Sequence, residues 1–516
     1  MNFYLPANLK NVLQLAIESE ELNEHMRLNS HMDKYYHVIH TLYIKRHTEK
    51  YNGLDSFHKL HSDILSELYG ERYYKTILNT LIELGIIECD NYYVTTTKSK
   101  GYRLTDKYRT TKFEMVSPTD SQFIQKIKDF KHRSQDQKIK LNKRLYNRLQ
   151  LDLSSLSIQT EKALEYCVAE VCNHYNISKP CYTSIIDAQN QISDLIENNE
   201  LYLSEIEFLK KENEIAAKVQ EYRTKKLTGF NFLKFKSYLI NITLIAEGDI
   251  NFTIDSKTNR VYSFFTSFPS KLRQFLLLNN HPLVFADIRN SQPFLFACML
   301  ISYYKQRHLA LPDDVKHYIE LCRSGKFYDY LMEQEGITQE HRKEWKAKFF
   351  EKVFFNKHSE KKVWQQEKAM QNQFPNVFKV ILHLKETDYR TLARNLQRKE
   401  AQMFINIIAK AIYKDNLNVQ ILTCHDAIYT THDHIDLVVH HIMKSYKDMY
   451  NIQPTIEKGC YEVEPEPADY QVADFSASHN TQPTRYTLEE LDYINKALKE
   501  LGIIEEELTE EIPIPF

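Results

Sequence analysis

Two apolar runs, far apart in the chain, each lead to an aspartate. The first is Pro282-Leu283-Val284-Phe285-Ala286-Asp287, followed by Asn290-Ser291-Gln292-Pro293-Phe294. Its apolar body predicts a buried strand; Ser291 suits the cap of the next helix and Pro293 its first turn. A carboxylate at the end of a buried strand, before a helix start, faces a cleft instead of bulk water, which is the placement metal ligation needs. The second run is Val419-Gln420-Ile421-Leu422-Thr423-Cys424-His425-Asp426-Ala427-Ile428-Tyr429-Thr430. Two strand-like stretches with His425-Asp426 between them predict a hairpin with a carboxylate at its tip. His432-Asp433 follows directly, but it opens the helical run Ile435 to Tyr446, where Asp433 suits a cap, so Asp426 is the candidate.

Between the two aspartates lies a predicted helix, His341 to Asn356, in which Arg342, Lys346, Phe350 and Phe354 recur every four residues and share one face. Such a stripe offers two cations to a triphosphate and two aromatic faces to a base.

In this order, strand-Asp, then Arg-x3-Lys-x3-Phe-x3-Phe, then hairpin His-Asp, the segments resemble motifs A, B and C of family A DNA polymerases and single-subunit (phage-type) RNA polymerases. The likeness runs from about Asp255 to Thr431, about a third of the chain. It implies an α+β, mainly helical right-hand polymerase fold, with an antiparallel palm sheet and helical fingers and thumb. It also implies that Asp287 and Asp426 hold two Mg2+ ions, with Mn2+ able to substitute. Arg342 and Lys346 would then bind the triphosphate, Lys346 would protonate pyrophosphate, and Phe350 and Phe354 would serve the base. Phe354 stands where the family has the aromatic beside the nascent pair, and His425 would contact the growing strand's end.

Two further stretches agree. Asn259-Arg260-Val261-Tyr262-Ser263 looks like the Gly-Arg-Leu-Ser-Ser stretch of family A enzymes, which implies that Arg260 touches the primer-template duplex. Arg394-Asn395-Leu396-Gln397, leading into the helix Glu400 to Ile412, looks like the Asn- and Gln-bearing helix before motif C, making Arg394 and Gln397 nucleic-acid contacts. There are departures. Motif A in DNA polymerase I reads Asp-Tyr-Ser-Gln-Ile-Glu, whereas here Ser291-Gln292 sit two places later and no Glu follows. The motif B Tyr-Gly is Phe354-Phe355, and Phe lacks the hydroxyl that phage-type RNA polymerases use to sense ribose, which favours deoxynucleotides. Ala427 stands where DNA polymerases have Glu. The partners implied are primer-template nucleic acid, dNTP or rNTP, and other replication proteins.

Upstream, Phe57 to Leu68 and Tyr73 to Leu84 suit two amphipathic helices; Gly85 supplies a stop, and Ile86 to Cys89, Tyr92 to Thr95 and Gly101 to Leu104 suit short strands. Helix, helix, hairpin resembles a winged helix, which implies Arg72, Lys75, Lys98, Lys100 and Arg103, with Tyr74, as nucleic-acid contacts. From Lys126 to Arg148 lysines and arginines outnumber acids, a natural attraction for phosphate.

At 516 residues the chain has room for several units, and its net charge of -2 hides basic residues in the middle and acidic ones at the end. The expected division is an N-terminal helical segment over 1–50, a winged helix over 51–110, a basic helical linker or thumb-like region over 111–226, palm and fingers over 227–464, and an acidic tail with a short helix over 465–516. The histidines between His25 and His47 are expected to face solvent from a helix. Cys167, Cys172, His174 and Cys181 lack a paired Cys-x-x-Cys pattern, so reduced, mostly buried thiols are expected, not a zinc site. Nothing resembles a signal peptide or a bilayer span, so a cytoplasmic protein with no membrane partner is expected. A second reading from another class is a replication initiator or DNA-binding regulator with an inactive palm, acting through the winged helix. The winged helix joined to a polymerase core suggests a replication protein of a phage, plasmid or other mobile element.

Overall fold

The structure is a computed structural model that describes residues 2–18, 32–48, 56–92, 99–109, 112–138, 143–197, 231–250, 252–255, 257–359 and 363–461. Lys98, the segment 198–230 and the expected acidic tail lie outside the described residues. The fold is a helix-rich α+β arrangement with small antiparallel sheets. The described chain forms two compact units: one takes Met1–Lys126 and Thr160–Thr243, the other Ile127–Gln159 and Leu244–Val463.

In the first unit the chain opens on a strand, not a helix. β1 (Phe3–Pro6) precedes the helices Leu9–Glu18 and Met32–Thr48. The aromatic run Phe3-Tyr4 is fully buried, and an extended backbone sends its side chains into packing that a short helix would leave half exposed. Next come β2 (His58–Lys59), the helices Ser62–Tyr69 and Tyr73–Glu83, β3 (Ile87–Cys89) and β4 (Gly101–Leu104). The sheet order is β2-β4-β3, so the first strand pairs with the last. The residues expected to begin the first helix include a strand edge instead: His58 is buried and pairs with Tyr102. β5 (Phe113–Val116) then returns to pair antiparallel with β1.

The histidines of Met32–Thr48 do not face solvent. His37, His40 and His47 are buried. His37 Nδ1 lies 2.6 Å from the Tyr69 hydroxyl, and the Tyr4 amide donates to His40 Nδ1 at 3.0 Å. Burial and the nearby Arg46 and Lys236 push the His47 imidazole well below its usual range, so it stays neutral. These are core side chains. Cys167 and Cys172 are likewise buried on the helix Thr160–Tyr175, their thiols pushed up by burial.

The second unit contains β6 (Leu156–Ile158), the hairpin β7 (Phe252–Ile254) and β8 (Val261–Ser263), and β9 (Leu276–Leu278) with β10 (His281–Pro282). β6, β9 and β10 make a three-stranded sheet. The remaining strands, β11 (Val284–Ile288), β12 (Leu422–Cys424), β13 (Ala427–Thr430) and β14 (Ile456–Cys460), form an antiparallel sheet in the order β12-β13-β11-β14. Three helices, Ser291–Gln306, Thr391–Ala401 and Ile435–Tyr450, supply much of the surrounding core. Arg148, from the basic run, serves this interior: it pairs with the buried Asp152 at 3.0 Å and donates to the Val419 carbonyl at 3.2 Å.

Candidate active site

β11 is a central strand, flanked on one side by β13 and on the other by β14. Its register sets Asp287 opposite Ala427 and, across the other edge, opposite Glu457. Ala427 opens β13 directly after the two-residue turn His425-Asp426, so the carboxylates of Asp287 and Asp426 meet at one end of the sheet. His425 takes a left-handed φ of 56°, the conformation that tight hairpin turns demand and that Gly or Asn adopts most cheaply. Its ring lies edge-on to Tyr262, 6.0 Å between centroids.

Just beyond Asp287 the chain turns at Asn290, also left-handed at φ 54°, and Asn290 rather than Ser291 occupies the cap position of Ser291–Gln306. Ser291 is the first helical residue and is buried. Pro293, in the first turn, has no amide to leave unpaired there.

The two carboxylates oppose each other's ionisation. Burial first, and then the Asp426 charge, push Asp287 up to about 7, against the pull of Lys346. Burial raises Asp426 too, opposed by hydrogen bonding and by Lys346 and Arg260. Asp287 Oδ1 is buried and has no hydrogen-bond partner among the described residues. An unsatisfied carboxylate oxygen beside a second carboxylate suits a hard divalent cation such as Mg2+, which takes one or two carboxylates and completes its shell with water and substrate phosphates. The donors therefore fit the ion, although no group of three or more candidate metal ligands occurs among the described residues.

Lys346 is the cation that faces both aspartates. Its Nζ lies 5.5 Å from the centroid of the Tyr328 ring. Arg342, one turn earlier, pairs with Asp329 at 2.8 Å. The expected helix His341 to Asn356 is three segments: a 3-10 turn Gln339–His341, the α-helix Arg342–Phe349 and a π-helical segment Phe350–Phe355. The four-residue stripe consequently ends early. A π turn of about 4.4 residues advances each residue less than an α turn of 3.6, so a residue four further on swings back across the stripe. Phe354 is fully buried, edge-on to Phe296 and Phe349, and the exposed aromatic is Phe355, stacked on Phe350.

Sequence reasoning missed Glu400, which lies at the hub of this region. It is 1% exposed and pairs with Arg260 at 2.7 Å. The Gln292 amide donates to it at 2.5 Å, and His425 Nδ1 lies 3.9 Å away. Burial holds its carboxyl up at about 7, against Arg260. Arg260 is thereby mostly buried and engaged inside the unit. A signal existed: Leu392, Leu396 and Glu400 are four apart and all buried, so the acid continues an apolar stripe.

The other candidates lie elsewhere. Arg394 pairs with Asp388, and Gln397 is half-buried on the same helix. In the first unit Arg72 and Lys75 are exposed at the start of Tyr73–Glu83, and Lys100 is exposed before β4. Arg103 is pinned across the sheet by Glu88 at 2.9 Å and covers the Phe57 ring.

No helix among the described residues is long and apolar enough to cross a membrane. No protein-family model matches the chain, and no curated protein matches it. Among solved structures, it is similar to the POL domain of Pol1 from M. smegmatis in complex with DNA primer-template and dNTP, at 12% identity and a TM-score of 0.35, over 81% of this chain and 80% of that one.

Proposed function

We propose that the protein is a template-dependent nucleotidyltransferase, a DNA polymerase of the family A type, that extends a primer with deoxynucleoside triphosphates. The observation that carries the reading is the pairing of Asp287 with Ala427, which brings two mutually repelling carboxylates together under Lys346. Asp287 and Asp426 are the residues that would hold Mg2+, which supplies charge neutralisation and a lowered pKa for the attacking 3'-hydroxyl. The chain's own groups orient the reactants. Lys346 presents positive charge where pyrophosphate leaves and can give it a proton, while Arg342 exchanges Asp329 for a phosphate. Phe350 and Phe355 offer an aromatic surface at the end of the same helix. The Glu400 carboxyl ties Arg260 and Gln292 into one support beneath the hairpin tip, 3.9 Å from His425, which would contact the growing strand's end.

The first unit supports a nucleic-acid role in the same protein. The reading of Met32 to Leu104 as a winged helix is supported by its run of helix, strand, helix, helix, strand, strand, in which β2 pairs with β4, and Arg72 and Lys75 stand at the start of the helix that would enter the major groove. A replication protein of a mobile element combines such parts.

The test is magnesium-dependent extension of a labelled primer on DNA and RNA templates, with dNTPs and rNTPs in parallel. Wild type is expected to incorporate dNTPs, and Asp426→Asn to lose on the order of 10² to 10³ of that rate with its fold intact. Full extension by this variant would overturn the assignment, and an inert wild type that still binds duplex would favour the initiator reading.

A further inference from the structure

The helix Phe327–Gln334 carries a hydroxyl that the polymerase reading leaves unused. Tyr328 is fully buried, and its Oη has no hydrogen-bond partner among the described residues. A buried donor without an acceptor costs free energy that a phenylalanine of the same shape would not incur. Its setting suggests what the hydroxyl is for. The ring packs on Trp345, Phe349 and Phe350, the helix that bears the two cations, and the Lys346 ammonium lies over it at 5.5 Å. Arg342 and Asp426 are both close enough to act on the phenol electrostatically. Burial above all keeps the hydroxyl protonated, its pKa well above the usual tyrosine range, so at neutral pH it is a donor. A donor flanked by Arg342 and Lys346 and lacking an acceptor has the makings of an anion contact.

We propose that Tyr328 is a further nucleotide-binding residue, its ring face holding Lys346 and its hydroxyl donating to a phosphate oxygen of the bound triphosphate. The ligand class rests on the polymerase reading. Because the hydroxyl is covered in this structure, the contact forms when the triphosphate draws Arg342 away from Asp329 while Lys346 stays on the ring face.

The test compares wild type, Tyr328→Phe and Tyr328→Leu in two measurements: calorimetric binding of an α,β-methylene dATP analogue with Mg2+, and steady-state primer extension. Phenylalanine keeps the ring and the packing. It is expected to weaken analogue binding and raise the dNTP KM about tenfold, as loss of one hydrogen bond to a charged group does. Leucine also removes the cation-binding face and is expected to lower kcat further. Binding and KM within twofold of wild type in Tyr328→Phe would overturn the proposal. If wild type binds the analogue but incorporates nothing, the polymerase reading fails while the phenylalanine comparison still decides Tyr328. A wild type that binds no triphosphate overturns both.

Discussion

Glu400 shows how a single residue can set the pH response of the site. Its folded pKa, about 7, stands above its usual 4.5. Below about 4.5 folded and unfolded chains both hold the proton. Between 4.5 and 7 only the folded chain does, so stability falls as pH rises through that window, and the cost is complete above about 7. For a side chain this buried the difference is roughly 2–4 kcal/mol. Asp287 carries a shift in the same direction and keeps part of the slope in any variant that leaves it in place. Glu400→Gln is therefore expected to flatten, without abolishing, the fall in urea-unfolding free energy between pH 5 and 8 in metal-free buffer. An unchanged slope would show that Glu400 is ionised throughout. Because the raised value of Glu400 already includes the pull of Arg260, a glutamine that mimics the protonated acid is expected to leave the variant no less stable than wild type at pH 8.

At the scale of elements, the expected helix His341 to Asn356 departs most from its expected form, and Lys385 braces its π-helical end. From the helix Pro375–Lys385 its buried ammonium donates to the Val353 carbonyl at 2.6 Å and the Asn356 carbonyl at 2.8 Å, satisfying acceptors that the π-helical end exposes. Burial lowers this lysine to about 8, and the two carbonyls compensate its partial desolvation. Lys385→Met keeps the length and apolar volume and removes both bonds. It is expected to cost about 1–3 kcal/mol in chemical denaturation. It is also expected to lower nucleotide affinity, because Phe350 and Phe355 lose their fixed spacing while Lys346, a turn earlier, keeps its place. Unaltered stability would mean that the segment holds its π turn without the lysine. Local pattern could not reveal this, since the lysine that closes the helix comes from another element. By contrast β11 and the β12–β13 hairpin were legible, because each is a short apolar run whose alternation and turn residues are local properties. The burial of Phe354 and of the histidines at 37, 40 and 47 was not legible for one shared reason: periodicity says which residues share a face, and only tertiary packing says which face is buried.

For the molecule as a whole, the proposed site residues fall in different units. The aspartates, Lys346 and Glu400 all belong to the second unit, whereas the exposed Arg72, Lys75 and Lys100 belong to the first. In each unit some of the basic residues expected to bind phosphate are already engaged. Arg148 and Arg103 are held by internal acids at 3.0 and 2.9 Å, so the sequence-level charge run overstates the cations available to nucleic acid. If the first unit is a DNA-binding winged helix, Arg72→Ala with Lys75→Ala is expected to weaken binding of a long duplex several-fold. The slope of log affinity against log salt should fall by about two, one for each phosphate that the variant no longer neutralises. Both residues belong to the first unit and the aspartate pair to the second, so kcat on a short primer-template held at saturation is expected to stay within twofold of wild type. Fluorescence anisotropy across a salt series measures the first quantity and single-nucleotide incorporation the second. A salt slope unaffected by the double substitution would assign this surface to protein contacts instead. An equal loss in kcat would mean that the two units work as one on the primer end, a coupling that the assignment of every proposed catalytic group to the second unit argues against.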